Sequence, residues 1–145
     1  MNQRLLVTDD DPMLQILYKK IFKNTSGFLS IDFASSKSEA FACLTCRNYD
    51  FALLDINLGE TEEDGFDVLR RINAESKNTK VVMMSNIQAE KVESTCKLLG
   101  ARGFIPKNRD LIQNLRKWVT FAVAENCFEC LHPAFIERGE LKIPV

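Results

Sequence analysis

Phe51-Ala52-Leu53-Leu54-Asp55 is the stretch on which the fold turns. Four consecutive apolar residues end on a carboxylate. A run this short, with no polar residue to face water, reads as a strand buried on both sides. Val81-Val82-Met83-Met84, followed by Ser85, repeats the form. Strands of this kind sit centrally in a parallel sheet, where helices cover both faces.

Outward from these two strands, apolar runs alternate with amphipathic stretches. Leu5-Leu6-Val7 reads as a first strand, and Pro12 to Lys23 as a helix with Leu14, Leu17 and Ile21 on one face. Pro12 suits a first helical turn, where its missing N–H is no loss. Leu29, Ile31 and Phe33 alternate with polar residues, as in a strand at a sheet edge. Ser36-Lys37-Ser38-Glu39 is a capping-box signature and opens a helix through about Arg47. A polar loop after Asp55 precedes a helix carrying Phe66, Leu69 and Ile72. Ala89, Val92, Cys96 and Leu99 mark another helix, which Gly100 ends. Phe104-Ile105 is a short strand. The last helix starts near Arg109 and buries Leu111, Leu115, Trp118 and Ala122. Five β–α units in succession predict an α/β fold: a doubly wound, five-stranded parallel sheet of flavodoxin-like order 2-1-3-4-5.

Composition narrows the function. The chain has 145 residues, 46 % of them hydrophobic, and a formal net charge of −1. This balance gives no basic surface for nucleic acid, so no direct nucleic-acid binding by this chain is expected. No apolar run approaches the roughly 20 residues that span a bilayer. The N-terminus turns acidic by Asp9, too early for a signal peptide, and the expected location is cytoplasmic. Cys43 and Cys46 form one C-x-x-C pair, Cys127 and Cys130 another. The pairs lie about 80 residues apart, far outside zinc-site spacing. Cys43 and Cys46 are expected as small buried hydrophobes of a helix. The regular pattern stops near Asn126, giving a domain over 1–126 and a C-terminal tail over 127–145. Phe121, Phe128, Leu131 and Phe135 form an extra apolar set there. A homodimer through the last helix and tail is the expectation it raises.

In open parallel sheets, ligands bind beyond the carboxyl ends of the strands. The first strand delivers Asp9 and Asp10, with Asp11 just beyond. The third delivers Asp55, the fourth Ser85, and the fifth Lys107. Each carboxylate pair at about 4 Å costs roughly 4 kcal/mol at an effective dielectric near 20, so a cation must offset the cluster. Hard oxygen ligands suit Mg²⁺. A phosphoryl group arriving at one carboxylate would then meet a cation, an ammonium and a hydroxyl, the parts that phosphoryl transfer needs. Carboxylates can themselves act as the nucleophile.

Four segments carry a family resemblance: Leu6-Val7-Thr8-Asp9-Asp10-Asp11-Pro12, Leu53-Leu54-Asp55-Ile56-Asn57-Leu58, Met84-Ser85-Asn86 and Gly100-Ala101-Arg102-Gly103-Phe104-Ile105-Pro106-Lys107. Over roughly residues 3–125 the chain resembles the receiver domains of two-component response regulators, of the chemotaxis-response-protein kind. The resemblance implies Asp55 as phosphoacceptor, served by a sensor histidine kinase or histidine phosphotransfer domain. It implies Mg²⁺ on Asp10, Asp55 and the Asn57 backbone carbonyl, with Asp9 acting indirectly. Lys107 would pair with the phosphate, and Ser85 would be the switch hydroxyl. Phe104 would be the switch aromatic, and the responding face would be the fourth helix, fifth strand and fifth helix. Such a protein phosphorylates and dephosphorylates itself as a switch and is not a turnover enzyme. The chain departs from the family at Gly59, where proline is usual, and at Asp64-Gly65, which comes late after an acidic loop. Asn86 and Asn108 also stand at positions where the family usually has a small residue and a proline. Two other readings are weaker. A haloacid-dehalogenase-like phosphatase needs a second Asp where Asn57 stands. A degenerate receiver acting only as a binding module sits badly with the complete acidic set.

Overall fold

A computed structural model describes residues 3–23, 28–59, 64–75, 78–86 and 89–125. Ten elements alternate without exception: β1 Gln3–Thr8, α1 Pro12–Lys23, β2 Phe28–Ala34, α2 Lys37–Cys46, β3 Phe51–Asp55, α3 Asp64–Glu75, β4 Lys80–Ser85, α4 Ala89–Leu98, β5 Gly103–Pro106 and α5 Leu111–Glu125. The strands form one sheet in the order β2-β1-β3-β4-β5, and every pairing is parallel.

Side chains that alternate along each strand divide the core in two. Leu5, Val7, Phe51, Leu53, Val82, Met84 and Ile105 face α1 and α5, which contribute Tyr18, Phe22, Leu115 and Trp118. Leu6, Ala52, Leu54, Val81, Met83 and Phe104 face the other way, onto Ala40 of α2, Leu69 and Ile72 of α3 and Cys96 of α4. This is why Leu5–Val7, Phe51–Leu54 and Val81–Met84 of the central strands are continuously apolar. It is also why the alternating β2, with Ile31 and Phe33 packed against one layer only, lies at the edge.

Three local expectations need correction. Ser36 caps α2 by accepting the Glu39 N–H at 3.1 Å, but the Glu39 carboxylate turns to Ser35, accepting its hydroxyl at 2.7 Å and its N–H at 3.3 Å. The capping box is therefore closed one residue early. Cys43 is half-buried against the second core layer but Cys46 is exposed, so only one of this pair meets the core; among the described residues Cys96 is the buried thiol. The last helix begins at Leu111, not near Arg109, because the Asn108 side chain accepts the Asp110 N–H at 2.9 Å and holds a turn there. Gly100 ends α4 as expected, at φ +94°. The expectations for the side chains of Leu29, Ala89, Phe121 and Ala122, for Cys127 and Cys130, and for the tail and its dimer lie outside the described residues.

Candidate functional site

The site lies at the carboxyl ends of β1, β3 and β5, where the central strands run out of apolar residues together. Asp9 follows Thr8, and its N–H is spent on Ala34 O at 3.1 Å, which pins the chain beside β2. Asp55 is the last residue of β3 and is 3 % exposed; Asp9 is fully buried. Asp10 is exposed. Carboxylate oxygens of Asp9, Asp10 and Asp55 lie within 4.8 Å of one another, a cluster that could hold a metal ion.

Lys107, delivered just beyond β5, reaches two of them. Its Nζ lies 2.5 Å from Asp55 Oδ2 and 2.8 Å from Asp9 Oδ2. One ammonium shared between two buried carboxylates cannot fully offset either. Burial therefore pushes the Asp55 carboxyl up to about 6, with Lys107 pulling the other way and Asp9 adding repulsion. Burial alone would lower the Lys107 pKa, but Asp55 and Asp9 outweigh it and hold the ammonium above the ordinary lysine value. Counting Asp9, Asp10 and Asp55 against Lys107 leaves an excess of negative charge, which is the chemistry of a cation site.

Backbone contacts fix Asp55. The Asp55 N–H donates to Thr8 Oγ1 at 3.1 Å, and Asp55 Oδ1 accepts the Asn57 N–H at 3.2 Å. Asn57 in turn accepts the Gly59 N–H at 2.9 Å. Gly59 stands at φ +92°, and a Cβ there would come 2.9 Å from Asp10 Oδ2. At the start of α3, the Gly65 N–H donates to Ile56 O at 2.8 Å. A Cβ on Gly65 would lie 2.2 Å from Asp55 O, so only glycine lets α3 approach the site this closely. Asp64 beside it is fully buried and faces Lys37 at 3.6 Å.

Of the residues singled out from sequence, Asp9, Asp10, Asp55 and Lys107 are brought together. Asn57, Asn86 and Asn108 join Asp10, Asp55 and Lys107 around a cavity of about 350 Å³. Asp11 also borders this cavity, but its carboxylate caps α1, accepting the Met13 N–H at 2.9 Å. Ser85 closes β4, is buried, and accepts the Lys107 N–H on its carbonyl at 2.8 Å. Phe104 is 2 % exposed in the core layer that faces α3 and α4. Two partners escaped the sequence reading. Thr8 was hidden as the end of a strand. Tyr18 was hidden in the apolar stripe of α1, yet its hydroxyl donates to Asp9 Oδ2 at 2.7 Å. Burial, then the charge of Asp9, holds the Tyr18 phenol above its ordinary pKa, so it keeps its proton and donates to Asp9. A polar tip on a buried stripe was the available signal, since a buried tyrosine needs a partner.

Known proteins with this pattern are numerous. A family model described as response regulator receiver domain matches residues 5–119. A Pseudomonas aeruginosa protein proposed to be a transcriptional regulator is 27 % identical over 112 residues, which cover 77 % of this chain and 53 % of that protein. Sporulation initiation phosphotransferase F of Bacillus subtilis is 27 % identical over 111 residues, covering 77 % of this chain and 86 % of that one. The chain thus spans about half the length of the first of these relatives. Among solved structures, the Francisella response regulator 1452 receiver domain superposes with a TM-score of 0.72 at 22 % identity, covering 87 % of this chain and 100 % of that one. The Mn²⁺-bound form of response regulator Rcp1 superposes with a TM-score of 0.73 at 20 % identity, covering 83 % and 94 %. Likeness at this identity speaks for the fold.

Proposed function

The chain belongs to the response regulator receiver domain family of two-component systems, and on that premise we propose that Asp55 accepts a phosphoryl group from a phosphohistidine partner. The observation that carries this reading is the shared ammonium: Lys107 contacts Asp55 and Asp9 at the floor of an open, acidic cavity. A carboxylate oxygen of Asp55 attacks phosphorus, the P–N bond to the imidazole breaks, and its electron pair leaves with the histidine. Lys107 then faces the phosphoryl oxygens. The Asn57–Asp55 hydrogen bond holds the carboxylate in place for the attack.

The donor set fits Mg²⁺. Asp10 and Asp55 supply hard oxygens, the Asn57 carbonyl is next in the loop, and the cavity leaves room for the waters this ion keeps. Such an ion would neutralise charge on the incoming phosphoryl oxygens. Asp9 already accepts three donors, from Asp11, Tyr18 and Lys107, which suits an indirect role. A relative solved with Mn²⁺ and a relative named as a phosphotransferase support the same reading. Ser85 and Phe104 would pass the change to the face formed by α4, β5 and α5. Among the described residues no helix is long and apolar enough to cross a membrane.

Incubation with phosphoramidate and Mg²⁺, followed by intact-mass measurement, tests the proposal. The wild-type chain should gain one phosphoryl group, and chelation of the metal should prevent it. Asp55→Asn should gain none. Ser85→Ala should still gain it, but amide shifts in α4 and α5 should shrink. An undiminished gain in Asp55→Asn would reject the assignment.

A further inference from the structure

Asp9 carries an unusual load. Its Oδ1 accepts the Asp11 N–H at 3.0 Å, and its Oδ2 accepts both the Tyr18 hydroxyl at 2.7 Å and Lys107 at 2.8 Å. Packing does not require a hydroxyl at position 18. The ring stacks on Phe22 with centroids 6.3 Å apart, and a phenylalanine would fill the same space. The hydroxyl reaches the site across the core, with Met84 Sδ 3.6 Å away as its other neighbour.

Lys107 cannot serve two masters once Asp55 changes. A phosphoryl group brings a charge of about −1.5 to −2 to the Asp55 side and draws the ammonium toward it. Asp9 Oδ2 then loses the one side-chain cation that contacts it among the described residues, while still fully buried. A buried charge stripped of its partner is strongly unfavourable, and that penalty would oppose phosphorylation. We propose that Tyr18 is a positioning residue of this site: its O–H stays on Asp9 Oδ2 and so frees Lys107 to move from Asp9 to the phosphorylated Asp55. No proton changes hands. Tyr18 remains a phenol and Lys107 an ammonium throughout. The inference rests on the phosphoacceptor reading of Asp55 given above.

Tyr18→Phe, in the full chain, tests it against wild type with phosphoramidate at saturating Mg²⁺. The ratio of phosphorylated to unphosphorylated chain, read by intact mass, should fall about tenfold, the size expected for one lost hydrogen bond to a buried charge. In the unphosphorylated protein Lys107 stays on Asp9, so Mg²⁺ affinity, read from the Asp10 amide shift, should stay within about twofold. A merely structural tyrosine would not split the two readouts. Tyr18→Met, which lacks the hydroxyl but packs differently, should show the same split. A ratio equal to wild type, or a parallel loss of Mg²⁺ affinity and phosphorylation, overturns the proposal. A wild-type chain that gains no phosphoryl group rejects the phosphoacceptor reading itself, and this one with it.

Discussion

The two ends of the sheet make an instructive pair. At the amino ends of β1 and β3 lies a cavity of about 500 Å³, lined by Arg4, Thr45, Cys46, Arg47, Asn48 and Asp50. It is larger than the acidic one at the carboxyl ends, about 350 Å³. Asp50 and Arg47, however, are answered locally. Asp50 accepts the Arg4 N–H at 2.9 Å and returns its own N–H to Arg4 O at 3.0 Å. Arg47 faces Asp32 at 3.4 Å with about half its side chain in water. At the other end, Asp9 and Asp55 are buried and share one ammonium. Volume does not locate the chemistry; unbalanced, desolvated charge does.

The sharpest way to break this contrast is Lys107→Met. It strands two buried carboxylates, and removing one partner of a buried ion pair costs about 3–5 kcal/mol. Urea unfolding in metal-free buffer should show that loss, and added Mg²⁺ should restore part of it. A loss below about 1 kcal/mol would mean the acidic end bears its charge as easily as the other end does.

Gly65→Ala should come next. The added methyl collides with the backbone of Asp55 and Ile56, which cannot swing aside, so overpacking of about 1–3 kcal/mol is expected. Asn48→Ala at the opposite end should stay within about 0.5 kcal/mol in the same assay.

The pH dependence sharpens the comparison from another side. The Asp55 carboxyl is raised from its ordinary range to about 6 in the metal-free fold. Between roughly pH 4 and pH 6 the folded chain therefore binds the extra proton, and this group's contribution to stability falls as pH rises through that window. Above it the ionised carboxylate is a standing cost. Asp55→Asn should thus stabilise the metal-free protein at pH 7.5 by about 1–2 kcal/mol, a gain that fades toward pH 4. Thermal unfolding of both proteins across the range measures it. A gain that is constant with pH would place its origin elsewhere.

The smallest effect belongs to Arg47→Met. An exposed pair is worth about 0.5 kcal/mol or less, and the change should be indifferent to Mg²⁺. A Mg²⁺-dependent difference in this variant would dissolve the distinction between the two ends.

Much of the site was legible because strand ends are legible. Apolar runs stop where the sheet stops, so Asp9, Asp55, Ser85 and Lys107 could be placed at one rim before any contact was known. Charge arithmetic then asked for a cation. Tyr18 and Thr8 were not legible, because each sits inside a stretch whose pattern is already explained by packing. Only the crossing of α1 over β4 and β1 shows that the Tyr18 hydroxyl meets Asp9 and the Met84 sulfur. Asp11, just beyond the first strand, is claimed by the first turn of α1 as a cap.

The sequence by itself determined the alternation of elements, the parallel sheet and the carboxylates at its rim, because periodicity and burial are properties of each segment alone. Tertiary structure alone decided how the charges are shared: that Lys107 divides itself between Asp9 and Asp55, that Tyr18 completes Asp9, and that Gly65 must be glycine. Those depend on distances between segments far apart in the chain. At short range a difference of one ångström decides whether a donor serves one carboxylate or two.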